Sequence, residues 1–157
     1  IDCRLTTLDP KGACLVGAAI RNTVIEKSNE LDVTISGIGG LTLGADPIAL
    51  ASAMASYQAN DPSPLKPFVV RKEPKDHGKG KQIEGGFKEG DTVVAIDDVI
   101  TTGGSTLNAI EAIERSGGHV AFVLVLVDRQ EGGKEIIENA GYKVFSLFTR
   151  DEFLSKE

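Results

Sequence analysis

The amino-acid sequence predicts an α/β fold, with a mainly parallel sheet of five strands and helices on both of its faces. Short apolar runs alternate along the chain with longer segments of helical periodicity, which is the pattern of strand–helix–strand units. Residues 120–127 are apolar without interruption, as expected of a strand that is covered on both faces. At 157 residues the chain is most simply a single domain.

In the first half of the chain, two helices each begin after an aspartate–proline pair. Asp9 and Asp46 can each cap a helix, and the proline that follows suits the first helical position. The predicted elements of this half are a helix over 10–29, a buried strand over 33–36, a glycine-rich loop over 37–44 and a helix over 47–60. The chain opens on Ile1 within what reads as a strand, so we expect a further segment to precede it.

The second half of the chain contains the other four strands and ends in a capped helix. The predicted elements are strands over 67–70, 92–96, 120–127 and 143–147, and helices that end before 117, span 135–139 and begin at 149. Thr149 and Glu152 have the spacing of a capping box for the last of these helices. Residues 71–86 are polar and charged, and no periodicity in them predicts an element.

Composition and charge exclude several classes of protein. No stretch is long and apolar enough to cross a bilayer, and no secretory signal is present, so we expect no membrane partner. A net charge of −6 makes nucleic acid a poor partner. Cys3 and Cys14 are too few for a disulfide framework and lack metal-ligand spacing, which indicates reduced thiols in a cytoplasmic protein.

The most informative segment, residues 93–106, combines paired acids with a phosphate-binding pattern. An apolar run ends in Asp97 and Asp98, a turn of threonine, glycine and serine follows, and an amphipathic helix comes next. Backbone N–H groups of such a turn and helix N-terminus suit a phosphate, to which the hydroxyls of the turn and of Thr106 would add donors. The acids suit the hydroxyls of a sugar, so the segment predicts a sugar-phosphate site at the carboxyl end of a strand.

A plain strand-to-helix turn is the alternative interpretation of this segment. It accounts for Gly103 and Ser105, since glycine and serine are common at such turns. It does not account for Asp97 and Asp98, because two ionised acids at the end of a buried strand repel each other and lose hydration. A ligand with hydroxyls, or a metal ion, would offset that cost.

Residues 71–81 form a second distinctive segment, which is cationic and contains two glycines. Its charge could neutralise a departing pyrophosphate, and its closure could exclude water from a cation-like transition state. A solvated run of charges is the alternative. The segment follows a predicted buried strand directly and carries His77, one of only two histidines, which favours the functional interpretation.

Both segments resemble those of one enzyme family. Residues 93–106 resemble the phosphoribosyl-pyrophosphate signature of type I phosphoribosyltransferases, and residues 71–78 are similar to the catalytic loop of orotate phosphoribosyltransferases. The resemblance implies the type I fold and a pentosyltransferase of de novo UMP synthesis. Such an enzyme moves ribose 5-phosphate from phosphoribosyl pyrophosphate to orotate, giving orotidine 5′-phosphate and pyrophosphate. It also implies Mg²⁺ held mainly by the substrate rather than by protein side chains, and a homodimer.

The resemblance further implies roles for individual residues. Catalytic roles fall on Lys75, His77, Asp97 and Asp98. Contacts to the donor fall on Arg71, Lys72, Lys75, His77, Asp97, Asp98, Val99, Ile100, Thr101, Thr102, Gly103, Gly104 and Ser105. Among these, Lys72 matches a lysine that reaches the site of the neighbouring subunit, and Lys75 would protonate the leaving pyrophosphate.

Orotate contacts are implied for Thr101 and Arg129. A guanidinium suits a carboxylate because its fork can pair both oxygens, although Arg129 could also be a surface arginine beside Asp128 and Glu131. The sequence departs from the family at Leu43, where some members carry a donor-binding lysine, so only backbone amides could serve there. The lysine and aromatic residues that help to bind orotate upstream of the family's first segment are absent.

Two other functions remain open at this point. A phosphoribosyltransferase for a purine or another base would share the donor motif, and the discriminators are residues 75–78 and Arg129. A nucleotide-sensing regulator on the same fold should carry a coherent basic face, whereas the cations here are concentrated in one segment. An orotate enzyme inactivated by truncation is a further possibility.

Overall fold

The structure, a computed structural model, describes residues 1–74 and 80–154. Its strands are β1 (Gly37–Leu41), β2 (Lys66–Val70), β3 (Ile83–Gly85), β4 (Thr92–Ile100), β5 (His119–Asp128) and β6 (Val144–Thr149). Its helices are α1 (Arg4–Thr7), α2 (Pro10–Leu31), α3 (Ala45–Gln58), α4 (Gly104–Arg115), α5 (Gly133–Asn139) and α6 (Arg150–Leu154). No helix in these described ranges is long and apolar enough to span a membrane.

All the strands join one sheet in the order β3-β2-β1-β4-β5-β6. Every pairing is parallel except that of β3, which lies antiparallel to β2 at the edge. The chain runs outward from β1 to β2 and β3, then crosses to the other side of β1 and continues outward from β4. The point between β1 and β4, where the connections diverge, is where open α/β sheets leave a crevice for ligands.

Helices cover both faces of the sheet, which confirms the predicted fold class. Alternate residues of β4 belong to different cores: Val94 and Ile96 pack with α2 and α3, whereas Val93 and Ala95 pack with α4 and α5. Burial on both faces explains why β4 and β5 read as nearly continuous apolar runs.

The sheet has six strands rather than the predicted five, and the first parallel strand lies later than predicted. Residues 33–36 precede β1, and most of the predicted loop 37–44 is that strand. Its glycines suggested a loop, but the packing requires them: a Cβ on Gly40 would overlap the carbonyl oxygen of Ile96, and one on Gly39 would overlap Phe68. The additional strand, β3, lies in the segment 71–86 for which no element was predicted.

Helix starts were predicted with mixed success. Asp9 accepts a hydrogen bond from the Gly12 amide (2.8 Å), as predicted for a cap. Asp46 is not a cap, because α3 begins one residue earlier and the Asp46 carboxylate accepts from the Thr42 hydroxyl (2.6 Å). Ile1 does not lie in a strand, since the first element of the chain is α1.

Candidate functional site

The crevice between the ends of β1 and β4 brings together two helix starts and an acid pair. Helix α3 begins shortly after β1 and helix α4 shortly after β4, so both N-termini lie at the carboxyl edge of the sheet. Strand β4 is longer than predicted and runs through both acids to Ile100. Asp97 and Asp98 are therefore held by the sheet itself rather than by a loop.

Asp97 is the more buried of the two acids, with only 7% of its surface exposed. Its place in the alternation of β4 turns it toward α4, where the Thr106 hydroxyl donates a hydrogen bond to its Oδ2 (3.1 Å). The backbone N–H of Asp98 donates to its Oδ1 (3.0 Å). Asp98 is half-buried, and its Oδ1 accepts from the Val99 amide (2.8 Å).

Burial and the neighbouring charge of Asp98 together raise the pKa of Asp97 to about 7, and the hydrogen bonds from the Asp98 amide and Thr106 only partly oppose this shift. A carboxyl group with such a pKa gains or loses its proton near neutral pH. A ligand that donates hydroxyl hydrogens to Asp97 would favour its ionised form.

Gly44, the residue before α3, lies directly against both carboxylates. A Cβ at this position would come within 2.5 Å of Asp98 Oδ1 and 3.2 Å of Asp97 Oδ1. Cys3 approaches from the N-terminal segment: burial first, and then the charge of Asp98, raise the pKa of its thiol. Gly44 reaches the acids because β1 pairs with β4, whereas Cys3 reaches them from the segment that precedes α1; no spacing in the sequence indicates either contact with the acids.

The turn between β4 and α4 has the features of an anion site. Gly103 adopts a left-handed conformation (φ 83°) that favours glycine, and it forms the N-cap of the 12-residue helix α4. Thr102, Gly104 and Ser105 are exposed, and a Cβ on Gly104 would meet no atom within 4 Å. The first amides of α4 point toward this open space, as they do at every helix N-terminus.

Neighbouring backbone braces this turn from the side of β5 and α5. The Gly133 amide donates to the Thr101 carbonyl (2.9 Å), and the Arg129 amide donates to the Ile100 carbonyl (3.1 Å). The Ile100 side chain is buried in the core at 1% exposure, and Val99 packs on the core of the opposite face. The side chain of Ile100 is therefore inaccessible to a ligand at this edge, whereas that of Val99 is partly exposed.

Thr106 differs from its prediction as a phosphate donor. It is 3% exposed, and its hydroxyl is directed to Asp97 rather than to the open side of the turn. Its apolar neighbours along α4 belong to the core, and the same helical face carries Thr106 inward. The hydroxyls that remain exposed or half-exposed at this turn are those of Thr101, Thr102 and Ser105.

The described part of the cationic segment reaches the same edge of the sheet. Arg71 follows β2, where its amide donates to the Gln82 carbonyl (2.8 Å) and its carbonyl accepts from the Gln82 side chain (3.1 Å). Lys72 is exposed and lines, together with Ser105, a cavity of about 520 Å³. Lys75 and His77 lie outside the described residues.

Arg129 follows the last residue of β5, and its amide places it beside the turn between β4 and α4. Its guanidinium is 2.8 Å from the Glu131 carboxylate, and both side chains are about one-third exposed or more. An exposed pair of this kind is worth little, so Arg129 could exchange Glu131 for the carboxylate of a ligand. Within residues 1–74 and 80–154, no three acidic, histidine or cysteine side chains are grouped so as to hold a metal ion.

Known proteins are similar to this chain over nearly its whole length. The family model described as "Phosphoribosyl transferase domain" matches residues 49–152. Orotate phosphoribosyltransferase of Rhodopirellula baltica is 43% identical over 98% of this chain and 78% of its own length. The enzyme of the same name from Aquifex aeolicus is 46% identical over 98% of this chain and 80% of its own length.

A solved structure agrees with these relatives. Mycobacterium tuberculosis orotate phosphoribosyltransferase, in complex with 5-phospho-α-D-ribosyl 1-diphosphate, superimposes with a TM-score of 0.80 at 36% identity. The match covers 97% of this chain and 81% of that chain. With relatives of this identity and coverage, and with an acid pair beside the turn before α4, the chain belongs to the orotate phosphoribosyltransferase family.

Proposed function

We propose that the chain transfers ribose 5-phosphate from phosphoribosyl pyrophosphate to N1 of orotate, giving orotidine 5′-phosphate and pyrophosphate. The observation that carries this proposal is the position of Asp97 and Asp98 between the α3 start and the turn before α4. Carboxylates that accept hydrogen bonds from hydroxyls, next to a site for an anion, match the hydroxyl and phosphate groups of a phosphorylated ribose. The curated relatives named above carry the same activity in their names.

Different residues of the crevice bind different parts of the donor. The backbone of the turn and the hydroxyls of Thr101, Thr102 and Ser105 hold the 5′-phosphate. Asp97 and Asp98 accept hydrogen bonds from the ribose hydroxyls. Mg²⁺ would be held mainly by the substrate rather than by protein side chains, and when bound it would offset the negative charge of the leaving group.

Chemistry takes place at C1 of the ribose. The bond from C1 to the pyrophosphate oxygen breaks, and its electron pair leaves with pyrophosphate, while N1 of orotate supplies the pair for the new C1–N1 bond. Positive charge develops on the ribose between these two events, and the nearby carboxylates stabilise it. Arg129 and Thr101 bind orotate. Lys75 and His77 bind the pyrophosphate.

The same assignment implies a homodimer and a cytoplasmic location. Lys72 is exposed and lines a cavity together with Ser105, and we propose from the family resemblance that it reaches the site of a second copy in a homodimer. A cytoplasmic location agrees with Cys3 and Cys14, which are both free thiols.

A panel of free bases tests the substrate. Incubation with phosphoribosyl pyrophosphate, Mg²⁺ and one base at a time should release pyrophosphate with orotate and not with uracil, adenine, guanine or hypoxanthine. In Arg129→Gln the KM for orotate should rise about tenfold or more, because a charge-assisted pair is lost. Lys134→Gln, which changes a nearby exposed lysine on α5, is the matched control. Equal release with another base would refute the assignment of orotate.

Replacement of Lys75 is expected to lower turnover more than it weakens binding of the donor. In Lys75→Ala, kcat should fall about a hundredfold while the Kd of the donor changes severalfold, because proton transfer to pyrophosphate matters only as its bond breaks. Single-turnover kinetics and calorimetry separate the two quantities. An unchanged kcat would remove this segment from the chemistry.

A further inference from the structure

Thr106 makes a contact that neither the phosphate site nor the core requires. Its side chain is 3% exposed, and its hydroxyl donates to Asp97 Oδ2 at 3.1 Å. A valine of the same shape would fill the space between α4 and the sheet equally well. The hydroxyl therefore serves the carboxylate rather than the packing.

We propose that Thr106 is a positioning residue of the donor site, whose buried hydroxyl fixes the orientation of the Asp97 carboxylate and keeps it an acceptor for the ribose hydroxyls. This inference rests on the proposed function, because it concerns the same acid pair.

The geometry around Asp97 supports this role. Each carboxylate oxygen holds one donor from the protein, the Asp98 amide on Oδ1 and the Thr106 hydroxyl on Oδ2. Two donors on opposite oxygens stop the carboxylate from rotating. A carboxylate has about four lone-pair positions, so each oxygen keeps one for a ligand.

The hydroxyl also acts against the forces that favour a proton on Asp97. Burial and the charge of Asp98 raise the pKa of Asp97, whereas the Thr106 hydrogen bond lowers it. The charged and titratable groups that face the pair are few. Asp98 lies on the same strand, and in the described part of the N-terminal segment the charge of Asp98 contributes to the raised pKa values of the Cys3 thiol and the Arg4 guanidinium. Loss of the hydroxyl therefore leaves a larger fraction of Asp97 protonated at neutral pH.

Two matched pairs of side chains, each differing by one hydroxyl, test the proposal. Thr106→Val removes the oxygen at constant shape, and Thr106→Ser compared with Thr106→Ala removes it at smaller size. Ser52→Ala is the control, because Ser52 is a fully buried hydroxyl on α3 that donates to the Ile48 carbonyl. The measurements are kcat/KM for the donor from pH 5.5 to 9.5, calorimetric binding of ribose 5-phosphate, and the ¹³C titration of the Asp97 carboxyl.

In Thr106→Val and Thr106→Ala, kcat/KM for the donor should fall roughly tenfold at pH 7. The loss should shrink toward pH 9, where Asp97 is ionised in every variant, and the Asp97 titration should move to higher pH. Thr106→Ser should resemble the wild type in both respects. If Thr106→Val fails to fold, the comparison of serine with alanine decides alone.

The outcomes separate the two proposals. A wild-type protein that makes no orotidine 5′-phosphate refutes the proposed function. An active wild type whose hydroxyl-free variants keep its pH profile and its Asp97 titration refutes the role of Thr106. A uniform loss at every pH, shared by Thr106→Ser or by Ser52→Ala, also refutes it, because that would be an effect of packing.

Discussion

Asp97→Asn is expected to stabilise the fold at alkaline pH while it removes most of the activity. Asparagine keeps the shape of the side chain and the acceptor for the Asp98 amide, but it carries no charge to be buried. We expect a gain on the order of a few kcal/mol in the free energy of unfolding at pH 8, because burial and the charge of Asp98 raise the pKa of Asp97 to about 7 in the folded protein. Denaturant unfolding measures this gain.

The direction of the pH dependence follows from proton binding. Between the unfolded pKa of about 4 and the folded pKa of about 7, the folded protein holds more protons on Asp97 than the unfolded chain does. The wild type therefore loses stability as pH rises through this window, and Asp97→Asn does not. Below pH 4 the two proteins should be equally stable, since Asp97 is then neutral in both states.

Activity should change in the opposite direction. The variant loses charge-assisted hydrogen bonds to the ribose, so kcat/KM for the donor should fall roughly a hundredfold or more. In the wild type, kcat/KM should rise with pH through about 7 as Asp97 ionises. An active Asp97→Asn enzyme would make this acid structural.

Asp91→Asn is a control of opposite sign. Burial alone would raise the pKa of Asp91, but hydrogen bonds from Lys66 and from the Lys88 amide outweigh it and hold the pKa below its usual value. Asp91 therefore contributes stability above its unfolded pKa of about 4, and that stability is lost as pH falls. Its replacement should destabilise the protein at pH 8. If both variants shift stability in the same direction, the burial argument for Asp97 is wrong.

Gly40→Ala is expected to prevent stable folding. Gly40 is the fourth of the five residues of β1, and an added Cβ would overlap the Ile96 carbonyl oxygen on β4 and come within 2.9 Å of the Ala45 Cβ on α3. The oxygen belongs to the backbone and cannot move aside as a flexible side chain could, so the strands would have to separate. We expect a loss of about 3 kcal/mol or more, a large share of the stability of a domain this size.

Circular dichroism and denaturant unfolding measure the effect of Gly40→Ala. Gly104→Ala is the control for stability, because a Cβ there meets no atom within 4 Å and the position is helical. That variant should be as stable as the wild type or more stable by up to about 1 kcal/mol. A Gly40→Ala protein with wild-type stability would mean that β1 and β4 can move apart at little cost.

The sequence predicted those parts of the fold and site that depend on local signals. The Asp9 cap, the apolar strands β4 and β5 and the turn before α4 all follow from residues close together in the chain. Strand β1 was misplaced because glycine is a poor strand former, and only the close approach of β2, β4 and α3 explains why glycine is required there. Strand β3 has three residues, too few to show a period, and its pairing with β2 defines it.

The same distinction, between local signals in the sequence and contacts that form only in the folded chain, applies to the site. Asp97, Asp98 and the turn belong to one continuous segment and were predicted. Gly44 lies at the site because β1 pairs with β4, and Thr106 faces Asp97 rather than the phosphate because of how α4 packs. No spacing in the sequence reveals either fact. Where Arg129 points likewise depends on the relation of β5 to β4.

The contact of Gly44 with the acid pair determines how a bound ligand affects the stability of the protein. A molecule that contacts both Gly44 and the acids touches two segments that are far apart in the chain and are brought together by the pairing of β1 with β4. A bound ligand therefore connects β1 and β4 across the middle of the sheet, and its occupancy should raise the melting temperature of the protein as ligand concentration rises above Kd.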